Sequence, residues 1–402
     1  MRIVYVCADP GIPVLGGKGA SVHVRSVTTE LARRGHDVIV ACAALGSGNP
    51  PPIVEDLVVV DGSARHQEEL LGQLMADHAA DAVIERYSLG CGPARRASAA
   101  LGVPLVLEVN APLVLEAARH RGLGDVERWL AYELDVFASA DAIGVVSTAL
   151  AAYVSKLAAK AAPCWVPNGV DPTPFERAVP ADLRLPTGAV AIGFAGSMKT
   201  WHGVADLVDA MRRLGPASPA HLVLIGSGPE ADTVAQQVAR QGIGDRVHLV
   251  GQVAHHQVPS LLAALDIGVA PYAAATEFYF SPLKVLEYLA AGLPVVCPAL
   301  GDLPDLVGDA GVLYRPGDVD DLARALSSLV DDAGARRAAS RGAQAKARRW
   351  TWDANANAYE NLAAAAISDR TGQNALRSGS TPVGSTPSAV APSRLAPTGG
   401  ER

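Results

Sequence analysis

The sequence predicts an α/β protein of two doubly wound domains that face each other across a cleft. The chain has 402 residues. This length suits two domains of about 180 residues each better than one domain. Short apolar runs alternate with amphipathic helical stretches, as in parallel sheets covered by helices. The alternation stops once, near residue 170, where proline becomes frequent, and then restarts.

The first half of the chain predicts a Rossmann-like domain over residues 1–167. The apolar runs expected to form its buried strands are residues 3–7, 38–42, 57–60, 82–84, 105–109 and 143–146. The amphipathic stretches expected to form helices are residues 22–34, 68–78 and 126–138. This order of elements is typical of a doubly wound parallel sheet.

Residues 168–188 are predicted to link the domains, because residues 166–174 read Val-Pro-Asn-Gly-Val-Asp-Pro-Thr-Pro and proline recurs to Pro186. A second Rossmann-like domain is expected over residues 189–350. Its predicted strands are residues 190–195, 221–225, 247–250, 267–270, 295–297 and 311–314. Its predicted helices are residues 204–214, 230–241, 257–264, 283–291, 319–330 and 335–348.

The C-terminal region is predicted to leave the second domain. A helix is expected at residues 353–367, and the segment 351–370 is expected to cross back to the N-terminal domain. From residue 371 the chain is rich in Ser, Thr, Pro, Gly and Ala without periodicity. This composition predicts a disordered tail over residues 371–402.

Composition argues against several classes of function. The net charge of −7 argues against a general nucleic-acid-binding protein, and no apolar run is long enough to span a bilayer. The first residues read as a buried strand rather than a signal peptide. No Asp-x-Asp or Cys-x-x-Cys pattern suggests a metal site. The five cysteines are expected to be free thiols in a reducing cytoplasm: Cys7, Cys42, Cys91, Cys164 and Cys297.

The segment 279–292 carries the most functional information. It reads Tyr-Phe-Ser-Pro-Leu-Lys-Val-Leu-Glu-Tyr-Leu-Ala-Ala-Gly, in which a Ser-Pro pair opens an apolar helix. Free N–H groups at a helix start favour an anion, and Lys284 adds a full charge there. Glu287 lies on about the same face, where it could accept hydrogen bonds from ribose hydroxyls. These features suit a nucleoside diphosphate sugar, and a core helix with a surface Lys–Glu pair is the alternative.

Three glycine-rich turns follow predicted strands. They are Leu-Gly-Gly-Lys-Gly at 15–19, Gly-Ser-Met-Lys-Thr-Trp-His-Gly at 196–203, and Gly-Ser-Gly at 226–228. Glycine allows the backbone to approach a ligand closely, and Lys199 in the second turn could meet a diphosphate. Taken singly, each turn is equally consistent with an ordinary connection, Lys199 with a solvated lysine, and His202 with packing at a helix start.

In combination, these motifs and the linker turn Asn-Gly-Val-Asp at 168–171 resemble the family-four glycosyltransferases over residues 1–367. Members of this family are retaining, nucleotide-sugar-dependent enzymes of the two-domain GT-B architecture. The resemblance therefore implies a GT-B fold with two Rossmann-like domains facing a central cleft. It also implies that the linker turn marks the hinge. We expect no cofactor and, because no Asp-x-Asp cluster lies in a suitable loop, no required metal.

The resemblance assigns roles to individual residues. Lys199 and Lys284 would neutralise the leaving diphosphate, Glu287 would hold the ribose, and the amides of Leu283 and Lys284 would contact phosphate or sugar hydroxyls. The implied catalytic residues are Lys199, Lys284 and Asn110. The implied donor-binding residues are Gly16, Gly17, Gly196, Ser197, Lys199, Gly226, Gly228, Tyr279, Ser281, Pro282, Leu283, Lys284 and Glu287.

The sequence departs from the family pattern at three positions. Ser197 stands where the family often has an arginine, so Lys199 would have to substitute for it. Tyr279 stands where the family often has a glutamate near the donor sugar, and the nearest acid is Glu277. Asn110 stands where many relatives have a histidine near the reacting sugar. These departures affect the assignment of the sugar more than that of the reaction class.

The expected function is transfer of a hexose-type sugar, with retention, from a nucleotide-diphosphate sugar to a hydroxyl group. Glycan, glycolipid and small-metabolite acceptors, in polysaccharide or natural-product biosynthesis, all remain open. A catalytically silent nucleotide-sugar-binding subunit and a nucleotide-sugar epimerase are the alternatives. The enzyme is expected in the cytoplasm, without nucleic-acid partners.

Two charged segments leave their roles open. The Glu-Arg-Tyr triplet at 85–87 is interpreted either as acceptor recognition or as a structural ion pair. A basic run of arginines and lysines at 336–349 predicts a solvated helix face, and peripheral contact with the inner face of a membrane is the alternative.

Overall fold

The N-terminal half forms one parallel sheet. A computed structural model describes residues 1–48, 56–157, 162–274 and 278–377. The strands are β1 (Arg2–Cys7), β2 (Asp37–Cys42), β3 (Asp56–Val59), β4 (Ala82–Arg86), β5 (Leu105–Val109), β6 (Ala142–Val145) and β7 (Cys164–Trp165). They pair in the order β3-β2-β1-β4-β5-β6-β7. All strands are parallel, but the chain adds β2 and β3 on one side of β1 and the later strands on the other side. Doubly wound sheets bind ligands in the crevice at the carboxyl ends of the strands at such a switch point, here β1 and β4.

Six helices of the described residues 1–157 pack on the N-terminal sheet, and three of them were predicted. They are α1 (Gly19–Arg33), α2 (Ala64–Asp77), α3 (Pro93–Leu101), α4 (Leu113–His120), α5 (Val126–Ser139) and α6 (Thr148–Leu157). The apolar pattern of the sequence did not predict α3, α4 and α6. These helices are short, so their apolar residues repeat over too few turns to stand out from their surroundings.

The linker contains a short helix, α7 (Thr173–Glu176), and leads into a second parallel sheet. The second sheet has the strands β8 (Val190–Ala195), β9 (Ala220–Ile225), β10 (Val247–Gly251), β11 (Ile267–Val269), β12 (Val295–Pro298) and β13 (Gly311–Tyr314). Their order is β10-β9-β8-β11-β12-β13, so a second crevice lies at the ends of β8 and β11. The prediction of two doubly wound domains is confirmed.

The C-terminal sheet is covered by helices close to the predicted ones. They are α8 (Val204–Arg213), α9 (Ala231–Gln241), α10 (Val258–Ala263), α11 (Leu283–Ala290), α12 (Leu303–Val307), α13 (Val319–Val330) and α14 (Ala333–Ala347). Only the five-residue α12 was absent from the sequence reading. Apolar residues of both sheet faces and these helices form two buried clusters of the second domain.

The final helix, α15 (Trp352–Arg377), packs on the N-terminal domain. Trp352, Tyr359 and Ala363 are buried in the same cluster as β1 and β2. Arg34, which directly follows α1, donates a 2.6 Å hydrogen bond to Glu360. The helix continues to Arg377, ten residues beyond its predicted end, so residues 371–377 of the predicted tail are helical. The rest of that predicted tail, 378–402, lies outside the described residues.

The two domains touch across the cleft between their crevices. Asp302 of the C-terminal domain accepts a 3.0 Å hydrogen bond from the backbone N–H of Thr148 at the start of α6. Leu283 of α11 packs against the apolar cluster of the N-terminal domain. The predicted cleft is therefore confirmed, and its two edges are in direct contact.

Candidate functional site

Lys284 lies in the first turn of α11, at the crevice of the C-terminal sheet. Its Nζ is inaccessible to solvent and makes no hydrogen bond within the described residues, although the residue as a whole is only half-buried. The ammonium stands 4.2 Å from the ring centre of Phe194 and 5.3 Å from that of Tyr272. Burial lowers its pKa to about 7, partly offset by the charge of Glu287. A buried cation without a hydrogen-bond acceptor is a strong candidate for an anion ligand.

The glycine turns after β8 and β9 lie next to Lys284, and their backbones are in close contact with each other. A Cβ atom on Gly226 would lie 2.1 Å from the carbonyl oxygen of Gly196, and one on Gly228 would lie 2.6 Å from the backbone of Met198. Only glycine fits at these two positions. A Cβ on Gly196 would in turn lie 3.2 Å from Lys284 Nζ. The predicted turns therefore form one backbone surface that faces the lysine.

His202 and Lys199 complete this side of the crevice. The His202 Nδ1–H donates a short hydrogen bond to the carbonyl oxygen of Ser197. Burial, followed by the charges of Lys284 and Lys199, lowers the pKa of His202 to about 4, so the ring is neutral at pH 7. Its Nε2 is then an acceptor. The Lys199 ammonium lies 4.8 Å from the ring centre of Trp201, so Lys199 is a half-exposed neighbour rather than a buried one.

Glu287 pairs with a histidine and not with the lysine one turn before it. His255 Nε2 lies 3.0 Å from Glu287 Oε1. This hydrogen bond raises the pKa of His255. The alternative of a surface Lys–Glu pair is wrong, because the Lys284 ammonium has no hydrogen-bond partner and is buried. His255 was not singled out from the sequence, since it stands 32 residues from Glu287.

The start of α11 is held by the interdomain linker. The Asn168 backbone N–H donates a 2.9 Å bond to Ser281 Oγ, and Asn168 Nδ2 donates a 2.7 Å bond to the Ser281 carbonyl oxygen. Pro282 is the cap residue rather than the first helical residue, and no side chain caps the helix. The amides of Leu283 and Lys284 are therefore left without a side-chain cap.

The N-terminal glycine turn reaches the same helix. Gly16 is required by its own loop, because a Cβ there would lie 2.9 Å from Pro13 Cγ, whereas Gly17 faces open space. A Cβ on Gly19, at the start of α1, would contact Leu283 at 3.4 Å. Arg25 fixes the turn by donating a 2.7 Å bond to the carbonyl oxygen of Gly16. The loop therefore lies against the start of α11.

On the N-terminal edge, Asn110 is tied to a buried ion cluster. Asn110 Nδ2 donates a 2.6 Å bond to Oε1 of Glu108, which also receives Arg86 at 2.6 Å, while Tyr5 donates to Oε2 at 2.9 Å. Burial alone would raise the pKa of Glu108, but the nearby positive charges of His23 and Arg86 hold it at about 2. The amide nitrogen of Asn110 is therefore engaged within the protein.

The triplet at 85–87 forms no ion pair of its own. Arg86 pairs with Glu108, on the opposite face of β4 from Glu85. Glu85 accepts a 3.5 Å contact from the backbone N–H of Ala94, and burial raises its pKa to about 8. Alternate strand residues point to opposite faces, which explains why neighbours in sequence do not pair.

Tyr279 lies at the contact between the domains. Its hydroxyl donates a short hydrogen bond to Glu116 of α4. The other acid considered for this position, Glu277, lies outside the described residues. The structure therefore brings a carboxylate of the N-terminal domain next to Tyr279, which no local sequence pattern indicated.

The described residues carry no metal centre and no helix suited to span a membrane. No three His, Cys, Asp or Glu side chains among them come together as metal ligands, and none of their helices is both long and apolar enough to cross a bilayer. The basic residues of α14 are partly engaged: Arg336 donates to the carbonyl oxygens of Leu329 and Val330, and Lys346 to that of Asp305.

Two family models match the chain one after the other. The model described as Glycosyltransferase Family 4 matches residues 17–173, and the model described as Glycosyl transferases group 1 matches residues 189–332. A glycogen synthase of Mycobacterium tuberculosis is 27% identical over 90% of this chain and 95% of that protein. A D-inositol 3-phosphate glycosyltransferase of Stackebrandtia nassauensis is 36% identical over 48% of this chain and 46% of that protein.

Solved structures show the same fold at low identity. A sucrose-phosphate synthase of Thermosynechococcus elongatus superposes with a TM-score of 0.73 at 20% identity, covering 91% of this chain and all of that one. HepE of Anabaena, solved in complex with UDP, superposes with a TM-score of 0.72 at 19% identity, covering 90% of this chain and all of that one. At such identities the likeness extends to the fold alone.

Proposed function

The chain belongs to the family-four, group 1 glycosyltransferases and has their GT-B fold, and from this premise we propose that it transfers a sugar from a nucleoside diphosphate to a hydroxyl group with retention. The observation that carries the proposal is the buried ammonium of Lys284, which has no hydrogen-bond partner and stands above Gly196. A diphosphate at this place would supply the missing acceptors.

The proposed chemistry follows from where charge develops. Breaking the bond between the anomeric carbon and the phosphate oxygen leaves negative charge on the diphosphate. Lys284 and the uncapped amides at the start of α11 lie at one place, where they would stabilise that charge. In the proposed front-face path, the acceptor oxygen bonds to the carbon on the side that the diphosphate leaves, and the acceptor proton passes to a phosphate oxygen.

Neighbouring residues support the rest of the donor assignment. Glu287 is mostly buried and already accepts from His255, so its other oxygen remains for ribose hydroxyls. The solved complexes of HepE with UDP and UDP-glucose make uridine nucleotides the first donors to test. Metal independence, a cytoplasmic location and a glycan, lipid-linked or small-molecule acceptor remain predictions.

Calorimetric titration with UDP, GDP, ADP and TDP tests this proposal. We expect micromolar binding of one nucleotide to the wild type. In Lys284→Met, which keeps the apolar stem on Phe194, we expect the affinity to fall about 10²-fold. We expect the melting temperature to stay equal or rise, because an unpaired buried charge is removed.

Lys346→Met is the matched control, since Lys346 lies on α14 and its ammonium donates to the Asp305 carbonyl oxygen, away from the glycine turns. It should bind nucleotide as the wild type does. Unchanged nucleotide affinity in Lys284→Met would overturn the diphosphate assignment, and no binding of any nucleotide to the wild type would overturn the proposed donor class.

A further inference from the structure

A row of buried polar contacts joins the two edges of the cleft. Ser281 at the start of α11 is bound by Asn168, Asn168 contacts His23 of α1, and His23 contacts Glu108 of β5. Glu108 also binds Asn110 on the N-terminal edge of the cleft. Each of these residues comes from a different element, so their meeting is a property of the tertiary fold.

The orientation of the Asn168 amide is fixed by its neighbours. Its Nδ2 lies 2.7 Å from the Ser281 carbonyl oxygen, which can only accept a hydrogen bond. The Oδ1 of Asn168 therefore faces His23, at 2.7 Å from Nδ1. It follows that His23 Nδ1 is the donor in this contact.

The second ring nitrogen of His23 faces Glu108. Nε2 lies 2.8 Å from Oε1 of Glu108, an oxygen of a fully buried carboxylate. The contact departs from the geometry of a linear hydrogen bond. The ring is 3% exposed and meets the edge of Trp352 at 5.2 Å between ring centres.

We propose that Glu108 fixes the position of the two edges of the cleft relative to each other. It holds Asn110 directly, and it holds the start of α11 through His23 and Asn168. In this arrangement His23 and Asn168 are positioning residues, which place the helix that carries Lys284 and Glu287. The inference that the helix is a donor-binding helix rests on the proposed function, whereas the mechanical connection does not.

Hydrogen–deuterium exchange of the full chain tests the connection without any ligand. In His23→Phe and in Asn168→Ala, we expect the amides of residues 279–288 to exchange about tenfold faster, because the hold on Ser281 is weakened. The double variant should exchange no faster than Asn168→Ala alone, since the two residues act in series.

Two further variants separate positioning from general destabilisation. Tyr5→Phe removes a different hydrogen bond to Glu108 and should leave exchange at 279–288 unchanged. Asn168→Asp keeps an acceptor for His23 but places an oxygen against the Ser281 carbonyl, and should behave like Asn168→Ala. Wild-type exchange at 279–288 in Asn168→Asp and His23→Phe would overturn the proposal, as would equal acceleration in Tyr5→Phe.

The same variants distinguish this proposal from the proposed function. If UDP, GDP, ADP and TDP all fail to bind the wild type while exchange at residues 279–288 rises in His23→Phe, the connection from Glu108 to α11 is supported and the donor assignment is not. If a nucleotide binds the wild type and exchange at residues 279–288 is unchanged in His23→Phe and Asn168→Asp, the donor assignment is supported and the connection from Glu108 to α11 is overturned.

Discussion

The two edges of the cleft treat buried charge in opposite ways. On the C-terminal edge, the Lys284 ammonium is inaccessible and has no hydrogen-bond partner among the described residues. On the N-terminal edge, the equally buried Glu108 receives hydrogen bonds from Arg86, Tyr5 and Asn110. The first charge is completed only by an added anion, whereas the second is complete within the fold. Burial therefore does not identify a binding group by itself, and the missing partner does.

Removing the charge of Glu108 is the change expected to have the largest effect on this comparison. In Glu108→Gln, the buried Arg86 would remain without its anion. We expect the free energy of unfolding to fall by about 3–5 kcal/mol, the cost of breaking a buried ion pair. Urea unfolding followed by circular dichroism measures it. If Glu108→Gln lowers the free energy of unfolding by less than Tyr5→Phe does, the carboxylate charge does not hold the cluster.

The pH dependence of nucleotide binding sharpens the contrast at Lys284. Because burial lowers its pKa in the free protein to about 7, the side chain is mostly neutral at pH 8. A bound diphosphate would hold it as the ammonium. Binding should therefore take up one proton, and affinity should fall about tenfold per pH unit as pH rises from 8 to 9.5.

Titrations in buffers of different ionisation enthalpy measure this uptake. We expect it to vanish in Lys284→Met and to persist in Lys346→Met. Proton uptake of equal size in Lys284→Met would assign the titration to another group, such as a phosphate.

The smallest effect is expected from Lys199. Its ammonium is half-exposed and rests on Trp201, so solvent already compensates its charge. We expect Lys199→Ala to weaken nucleotide binding only about threefold, in the range of exposed ion pairs. Titration calorimetry beside Lys284→Met measures the difference. Equal losses in the two variants would contradict the distinction between a buried and an exposed cation.

The sequence was sufficient to predict every described strand except the two-residue β7, and to predict the helix that carries Lys284. Runs of β-branched and aliphatic residues locate each buried strand of a parallel sheet, because both faces of such a strand are covered. Lys284 and the glycine turns were found because they lie within short, contiguous motifs. Each of these motifs lies within one contiguous segment, so it can be recognised without knowing the tertiary contacts.

The polar cluster was beyond such reasoning. His23, Glu108 and Asn168 are separated by tens of residues, and none lies in a motif with the others. The one available signal was the charged Glu108 within the apolar strand 105–109, since an acid in a doubly covered strand requires a buried partner. That partner, Arg86, ends the neighbouring strand β4, but sequence alone does not say which strands are neighbours.

The return of α15 to the first domain has a consequence for biosynthesis. Tyr359 is fully buried in the core of the N-terminal domain, and it packs so closely on β6 that a Cβ atom at Gly144 would lie 2.7 Å from its ring. Trp352 and Ala363 belong to the same core. During translation, part of the apolar surface of the first domain therefore stays exposed until α15 has left the ribosome. The first domain is completed only after the second domain has been synthesised.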